Sequence, residues 1–105
     1  MATRRQGDDW PDFTASARLQ FWTLPQEAIE AFAAVFPEFT QTPLRPSPSL
    51  DVGPIRNDPR RWRLRVAGYR ALYHVRHGWP IIERILPRTV HTYQNFRRSV
   101  RPSSK

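Results

Sequence analysis

The sequence predicts an α+β fold in which an N-terminal helical hairpin packs on one face of a small, mainly antiparallel, twisted β-sheet. Apolar residues recur at helical spacing in residues 14–36, a strict alternation of cationic and apolar residues occupies residues 61–66, and two largely apolar segments follow it. Turn residues separate these last three segments, so we expect them to form a three-stranded meander.

The alternation in residues 61–66 is the strongest of these signals. Successive side chains of a strand point to opposite faces. We therefore expect one face of this strand to be buried and the other to carry a row of three guanidinium groups. The buried row comprises Trp62, Leu64 and Val66, and the cationic row comprises Arg61, Arg63 and Arg65.

Two further strands are predicted after a tight turn at Ala67 and Gly68, where glycine accepts a positive φ. Residues 69–76 are rich in aromatic and branched side chains, which favour a strand. Residues 81–86 are nearly all apolar, which predicts a central strand covered on both faces. The second turn is expected at residues 78–80.

The N-terminal part predicts a tail, an edge strand and a first helix. Residues 1–9 have no apolar periodicity and are expected to be a disordered tail. Residues 10–14 can form a short edge strand, where Pro11 is tolerated. Thr14 or Ser16 can cap a helix that ends near Trp22. Its expected core face is formed by Ala15, Leu19 and Trp22.

A second helix is predicted to begin at a capping box formed by Thr23 and Gln26, with Pro25 in its first turn. Pro37 is expected to end or bend this helix. Its apolar stripe consists of Ile29, Phe32, Ala33 and Phe36.

Residues 43–59 contain five prolines, which argues against a helix or a central strand. We expect an extended loop that either shapes the rim of a cleft or only connects the helices to the strands. Residues 87–93 are expected to be a short fourth strand or an irregular segment, and residues 94–105 a basic tail.

Positive charge is concentrated in the second half of the chain. Residues 1–54 contain four arginines and seven acidic residues, whereas residues 55–105 contain twelve arginines, one lysine and two acidic residues. This concentration predicts a polyanion or an acidic protein as partner. The alternative is a codon bias towards arginine on a solvated face, which explains the residue type but not its location.

Several site classes are excluded by composition. The absence of cysteine excludes disulfides and thiolate metal sites, and the three separated histidines give no zinc-ligand spacing, so we expect no metal and no cofactor. No apolar run approaches the ~20 residues of a membrane span. The N-terminus lacks the apolar segment of a signal peptide, so we expect a cytoplasmic protein without membrane contact.

The hairpin and the segment after it resemble the RelE/ParE superfamily of bacterial toxins over about residues 10–93. The matching residues are Arg63-Leu64-Arg65-Val66, Tyr69-Arg70, Leu72-Tyr73, Val75, the strand at residues 81–86, Arg88 and Tyr93. The resemblance implies a first strand at residues 10–14 and an aliphatic Ile55 at the edge of the core. It also implies that Arg88 and Tyr93 line a concave face opposite Arg70, where ribonuclease members contact the scissile phosphate and a stacked base.

RNA cleavage by attack of the 2′-OH needs a base, an acid and positive charge on the phosphorane. Arginines stabilise the charge but cannot act as the base, since their pKa exceeds about 12. Efficient ribonucleases of the family place Lys or Glu in the cleft, and this chain has arginines there. The base must then be His91, His74 or Tyr93. The candidate catalytic residues are Arg63, Arg65, Arg70, Arg88, His91 and Tyr93, and the candidate nucleic-acid-binding residues are Arg60, Arg61, Arg84 and His74.

Three hypotheses follow from the resemblance and the charge. The first is the toxin of a toxin–antitoxin pair that cleaves mRNA at the ribosome without a metal, giving a 2′,3′-cyclic phosphate, and is bound by an acidic antitoxin. The second is a DNA gyrase inhibitor of the ParE type. The third is a non-catalytic basic module that binds nucleic acid, or a degenerate toxin.

Overall fold

The computed structural model describes residues 9–87, which form two helices and a five-stranded mixed sheet. The predicted α+β fold is confirmed. In chain order the elements are β1 Asp12–Phe13, α1 Ala15–Trp22, α2 Gln26–Gln41, β2 Asp51–Ile55, β3 Asp58–Val66, β4 Tyr69–Arg76 and β5 Trp79–Pro87. The strand order is β1-β5-β4-β3-β2, with β1 parallel to β5 and the other pairs antiparallel.

The expected tails lie outside the described residues, apart from Asp9, and so does the segment expected after residue 87. No helix within residues 9–87 is long and apolar enough to cross a membrane.

Helix α1 begins where predicted, but it buries a different face. Thr14 is its N-cap, and the Thr14 hydroxyl accepts a hydrogen bond from the Ala17 N–H at 3.2 Å. Ala17 and Phe21 are buried, whereas Leu19 is 71 % and Trp22 57 % exposed, so the predicted stripe of Ala15, Leu19 and Trp22 is wrong.

In a helix of only eight residues, two spacings of apolar residues fit the sequence equally well. Tertiary contacts then determine which face is buried. The Thr14 N–H donates to the Ile82 carbonyl of β5 at 2.9 Å. This bond ties the start of the helix to the sheet and sets its rotation. Trp22 instead stacks on Trp10, with ring centroids 5.9 Å apart.

The predicted capping box at Thr23 is also wrong. Thr23 ends α1, and its hydroxyl donates to the Gln20 carbonyl at 2.9 Å, so it is not available to the next helix. Pro25 occupies the N-cap of α2 without a side-chain bond, and its φ of −58° suits the start of a helix.

Helix α2 passes through Pro37 and continues to Gln41, so Pro37 does not end it. The Thr42 N–H still donates to the Glu38 carbonyl at 3.0 Å and closes the last turn. Phe32 and Phe36 of the predicted stripe are buried, and Phe39 extends the buried face by one turn, while Ile29 and Ala33 are only half-buried.

The core lies between the helices and the sheet and is largely aromatic. Its fully buried large side chains are Phe21, Phe32, Phe36, Phe39, Leu50, Leu64, Tyr73, Pro80 and Ile82. The ring of Tyr73 meets that of Phe39 edge to face, with centroids 4.7 Å apart. The Tyr73 hydroxyl donates to the Pro43 carbonyl, and burial raises its pKa, so the one polar atom of this ring is both neutral and bonded.

The proline-rich segment is only partly a loop. Residues 51–55 form β2 and β3 begins at Asp58, so an extended loop over residues 43–59 is wrong for its second half. Strand β2 lies at the edge of the sheet, where Pro54 breaks no ladder between two neighbours. The remaining loop is held to α2 because Ser47 and Ser49 donate to the Glu38 carboxylate at 2.8 and 2.7 Å.

The β3–β4 and β4–β5 turns each place two consecutive residues at positive φ. The turn at Ala67 and Gly68 is confirmed, with φ of 53° and 81°. The second turn is formed by His77 and Gly78, with φ of 54° and 80°, and Trp79 and Pro80 already belong to β5. Helices cover one face of β5 and Arg84 is exposed on the other, so coverage of both faces is wrong.

We expect Leu64→Ala to lower the free energy of unfolding by ~2–5 kcal/mol, because it empties a fully buried site in the core. Leu64 packs there with the phenylalanine cluster, which comprises Phe21, Phe32, Phe36 and Phe39. Leu19→Ala is the matched control and should change stability by less than ~0.5 kcal/mol. Urea unfolding followed by circular dichroism measures both. Equal losses in the two variants would contradict this placement of the core.

Candidate nucleic-acid interface

The face of β3, β4 and β5 that points away from the helices is called the outer face here. The register of the strands defines it, since Leu64 and Ala71 pair on the buried face and their neighbours alternate. Arg65 lies directly across from Arg70, and Leu72 lies across from Arg84. Its polar and charged residues on these strands are Arg61, Arg63, Arg65, Arg70, His74, Arg76, Glu83 and Arg84.

Six of the ten candidate residues named from the sequence therefore share one surface. They are Arg61, Arg63, Arg65, Arg70, His74 and Arg84. Arg60 is exposed beside them near the start of β3. Arg88, His91 and Tyr93 lie outside the described residues, so their expected position opposite Arg70 stays a prediction.

One end of the outer face carries a cluster of ion pairs, and Glu83 is its centre. Glu83 Oε1 accepts hydrogen bonds from Arg61 Nε and Nη2 at 3.2 and 3.1 Å, and Glu83 Oε2 lies 2.5 Å from His74 Nδ1. Arg61 Nη1 also donates to Asp58 at 2.9 Å. We call this group the acidic cluster, after its two carboxylates; it consists of Asp58, Arg61, His74 and Glu83.

A β-bulge places Glu83 in this cluster. Leu72 pairs with Arg84 but Tyr73 pairs with Ile82, so Glu83 is the extra residue on β5. Burial raises the pKa of Glu83, but hydrogen bonds and positive charge from Arg61 and His74 outweigh burial and hold the pKa below its usual value. Glu83 is therefore an ionised acceptor at neutral pH.

The acidic cluster opens into a cavity of about 400 Å³. Arg60 and Val75 complete its lining together with the four cluster residues. It has a cation, a carboxylate and an imidazole in contact with solvent, which is the set of groups needed to bind an anion and move a proton.

Arg63 is neutralised separately, across a glycine. Its guanidinium pairs with Asp51 of β2 at 3.3 Å. Gly53 lies between them, and a Cβ at this position would approach Arg63 Nη2 to 2.8 Å. The absence of a side chain at Gly53 is what lets the Arg63 guanidinium lie flat across β2.

The other end of the outer face carries uncompensated charge. Within residues 9–87, Arg65, Arg70 and Arg84 form no ion pair. Arg65 and Arg70 are cross-strand neighbours, an arrangement that destabilises a sheet when both carry the same charge. Arg70 Nε is buried and has no hydrogen-bond partner in the described part of the chain. The three guanidinium groups without an ion pair in the described residues make this end of the face suited to an anionic ligand.

Besides Glu83, two carboxylates that the sequence did not connect with the arginine row balance it. Asp51 and Asp58 also pair with it. Asp51 was missed because β2 was taken for a loop, which removed it from the sheet. Asp58 was missed because its contact depends on where β3 begins. Asp58 has the parity of Trp62 and Leu64, and the pairing of β2 with β3 is irregular between Pro54 and Ile55, so the alternation gives no signal for the contact of Asp58 with Arg61.

Clusters of three or more His, Asp or Glu residues able to hold a metal ion are absent from residues 9–87. The balancing groups of the acidic cluster are instead arginine and histidine.

Solved structures with a similar backbone are toxin–antitoxin proteins. They include chains of the RelB–RelE antitoxin–toxin complex from Methanococcus jannaschii, with a TM-score of 0.61 and 21 % identity over 81 % of this chain and 98 % of that one. The fold is that of the RelE toxins. The RelE–RelB complex from Pyrococcus horikoshii OT3 gives a TM-score of 0.62 and 19 % identity over 77 % of this chain and 96 % of that one.

The RelBE2 toxin–antitoxin complex from Mycobacterium tuberculosis matches with a TM-score of 0.58 and 23 % identity over 74 % of this chain and 95 % of that one. The resemblance inferred from the hairpin is thus confirmed for the fold. No protein-family model and no curated protein matches the sequence. At identities of 19 to 23 %, these similarities establish the fold alone.

The lowered pKa of Glu83 predicts a pH-dependent contribution to stability. A carboxyl with a lowered folded-state pKa stabilises the fold above its unfolded pKa, and this contribution is lost as the pH falls through the folded value. We therefore expect Glu83→Gln to lower the melting temperature at pH 7, and the difference from the unmutated protein to shrink towards pH 3.

Glu30→Gln is the control, because Glu30 is an exposed carboxylate on α2 without an ion pair in the described residues. Its effect should be smaller at pH 7. A Glu83→Gln difference that is the same at both pH values would show that the charge of Glu83 is not what stabilises this face.

Proposed function

We propose that this chain is the toxin of a toxin–antitoxin pair and that it binds and cleaves mRNA at the ribosome. The observation that carries the proposal is a group of three arginines on the outer face of a RelE fold, namely Arg65, Arg70 and Arg84, which form no ion pair within residues 9–87. The similar structures are RelB–RelE complexes, which supports an antitoxin as partner.

Phosphate is the anion that best fits this group. Guanidinium binds phosphate bidentately and keeps its charge at every physiological pH. Arg65 and Arg70 approach one another from neighbouring strands, so one phosphate can relieve the repulsion between both.

The cleavage step proposed is a transesterification. The 2′-oxygen forms a bond to phosphorus, the bond to the 5′-oxygen breaks, and the products are a 2′,3′-cyclic phosphate and a 5′-hydroxyl. The arginines stabilise the extra negative charge of the phosphorane. They do so without a metal ion, and the proton transfers fall to other groups.

An antitoxin would act on the same surface. A free electropositive face that binds RNA is harmful in a cell, and an acidic, partly disordered segment that folds on binding can cover it. We propose that such a protein is encoded beside this one and pairs with the three uncompensated arginines.

Removal of one uncompensated arginine should weaken RNA binding without harming the fold. We expect Arg65→Gln to reduce the affinity for a single-stranded RNA oligonucleotide and to reduce the slope of log K against log salt by ~0.7, the value for one phosphate contact to a single strand. Fluorescence anisotropy over a salt series measures both quantities. The melting temperature should stay the same or rise, because repulsion from Arg70 is relieved.

Arg18→Gln is the matched control, since Arg18 is exposed on α1, which packs against the other face of the sheet. It removes the same charge and should leave the slope nearly unchanged. Equal effects of the two substitutions would mean that the affinity depends on net charge and not on the outer face.

Inducible expression of the chain should stop growth and produce mapped breaks in mRNA with intact DNA. Co-expression of the acidic neighbouring protein should restore growth, and the two proteins should purify together. RNA sequencing of 5′-hydroxyl ends measures the breaks. DNA breaks with intact mRNA would select gyrase as the target, and no toxicity would select a non-catalytic basic module.

A further inference from the structure

We propose that His74 is the general base of the cleavage reaction and that Glu83 is the residue that positions it. This inference rests on the proposed function, since it assigns a proton-transfer group to the same outer face. It is drawn from the geometry of the acidic cluster, in which an imidazole and a carboxylate meet beside two arginines at the mouth of a cavity.

The contact with Glu83 fixes which nitrogen of His74 carries the proton. Glu83 is ionised at neutral pH and can only accept hydrogen bonds. Nδ1 lies 2.5 Å from Glu83 Oε2, so Nδ1 is the donor. In a neutral imidazole the other nitrogen, Nε2, then has a free lone pair, which is the state required of a base.

Nε2 is available for that role. Within residues 9–87 no hydrogen bond engages it, and His74 lines the 400 Å³ cavity. Glu83 is itself held by two hydrogen bonds from Arg61, so the carboxylate cannot rotate away from the imidazole. A nucleophile's base oriented by a third, fixed group is a recurrent arrangement in enzymes that activate hydroxyl groups.

The same cavity offers a site for the phosphate. Arg60 and Arg61 line it, and Arg61 lies beside Glu83. A phosphate bound by Arg60, which forms no ion pair within residues 9–87, would bring the 2′-OH of the preceding ribose towards Nε2. Arg65, Arg70 and Arg84, farther along the outer face, would bind neighbouring phosphates of the same strand.

The proton balance of the step is closed by water. Nε2 takes the proton of the 2′-OH as the 2′-oxygen bonds to phosphorus. The 5′-oxygen leaves and takes a proton from water, and the imidazolium later returns its proton to the solvent. No oxidant or metal ion enters the reaction.

Other charged groups surround His74. Glu83 faces it from β5, Asp58, Arg60 and Arg61 lie on β3, and Arg76 follows two residues along β4. The cavity lining therefore contains two carboxylates and two guanidinium groups around one imidazole.

His74→Asn is the decisive variant. The Asn amide can still donate to Glu83 from about the position of Nδ1, but it has no counterpart of Nε2. We expect cleavage of a defined RNA under single-turnover conditions to fall by ~10²-fold or more, which is the lower end of the effect of losing a general base. The RNA affinity should stay within about twofold, and the melting temperature within about 2 °C, of the values for the unmutated protein. Free imidazole should restore part of the rate in His74→Ala.

His77→Asn is the matched control. His77 is exposed in the turn at a φ of 54°, a conformation that Asn accepts, and it should cleave at the unmutated rate. The deprotonation that limits the rate on the acidic side of the pH profile should be lost in His74→Asn and kept in His77→Asn.

Glu83→Gln separates positioning from simple charge. Removal of a negative charge from the RNA face should tighten binding, while loss of the fixed orientation should slow the chemical step. Tighter binding with a slower step supports the inference. Tighter binding with an unchanged or faster step would show that Glu83 acts only through its charge.

The outcomes distinguish this inference from the proposed function. If His74→Asn cleaves within about threefold of the unmutated rate, another group such as His91 or Tyr93 is the base, and only the inference is overturned. If the unmutated protein bound to ribosomes leaves mRNA intact, the proposed function is overturned and the inference with it.

Discussion

Burial of one parity of β3 determines the orientation of everything else in the sheet. Leu64 is fully buried beneath the phenylalanine cluster, and the free energy of that burial is ~2–3 kcal/mol for one large side chain. A strand shifted by one residue would expose this row and bury three guanidiniums, which costs far more. Strand pairing then transmits the choice to β4 and β5, so the hydrophobic row indirectly gathers the arginines on one surface.

This dependence explains how much the sequence could predict. The meander, the first turn and the location of Arg61, Arg63 and Arg65 opposite the core follow from a local period of two and need no tertiary information. The buried face of α1 could not be predicted in this way, because eight residues allow more than one apolar spacing. The hydrogen bond from Thr14 to β5 determines which face is buried. Strand β2 could not be predicted either, since its prolines are permitted only by its position at the edge, which is a property of the whole sheet.

The candidate site was partly predictable for the same reason. The alternation of side chains along β3 and β4 alone predicts the cationic face, including His74. The ion-pair partners of each cation depend instead on the bulge at Glu83 and on the register of β2. Those two features divide the outer face into an end with a cluster of ion pairs and an end whose arginines have no ion pair within residues 9–87. Under the proposed function, the ion pairs hold side chains in one geometry for the chemical step, and the unpaired guanidinium groups bind the phosphates.

Arg63 lies between the two ends of the outer face, and its ion pair with Asp51 is separate from both. Its ion pair with Asp51 exists only because Gly53 leaves space for the guanidinium, and both members of the pair are accessible to solvent. An exposed pair of this kind contributes ~0–1 kcal/mol, which is less than a guanidinium gains from a phosphate in a partly desolvated site. Under the proposed function, the Arg63 guanidinium can therefore exchange its carboxylate partner for a phosphate. Arg63 would then extend the cationic surface from Arg65 towards the acidic cluster, so that one strand of RNA could contact both ends of the outer face.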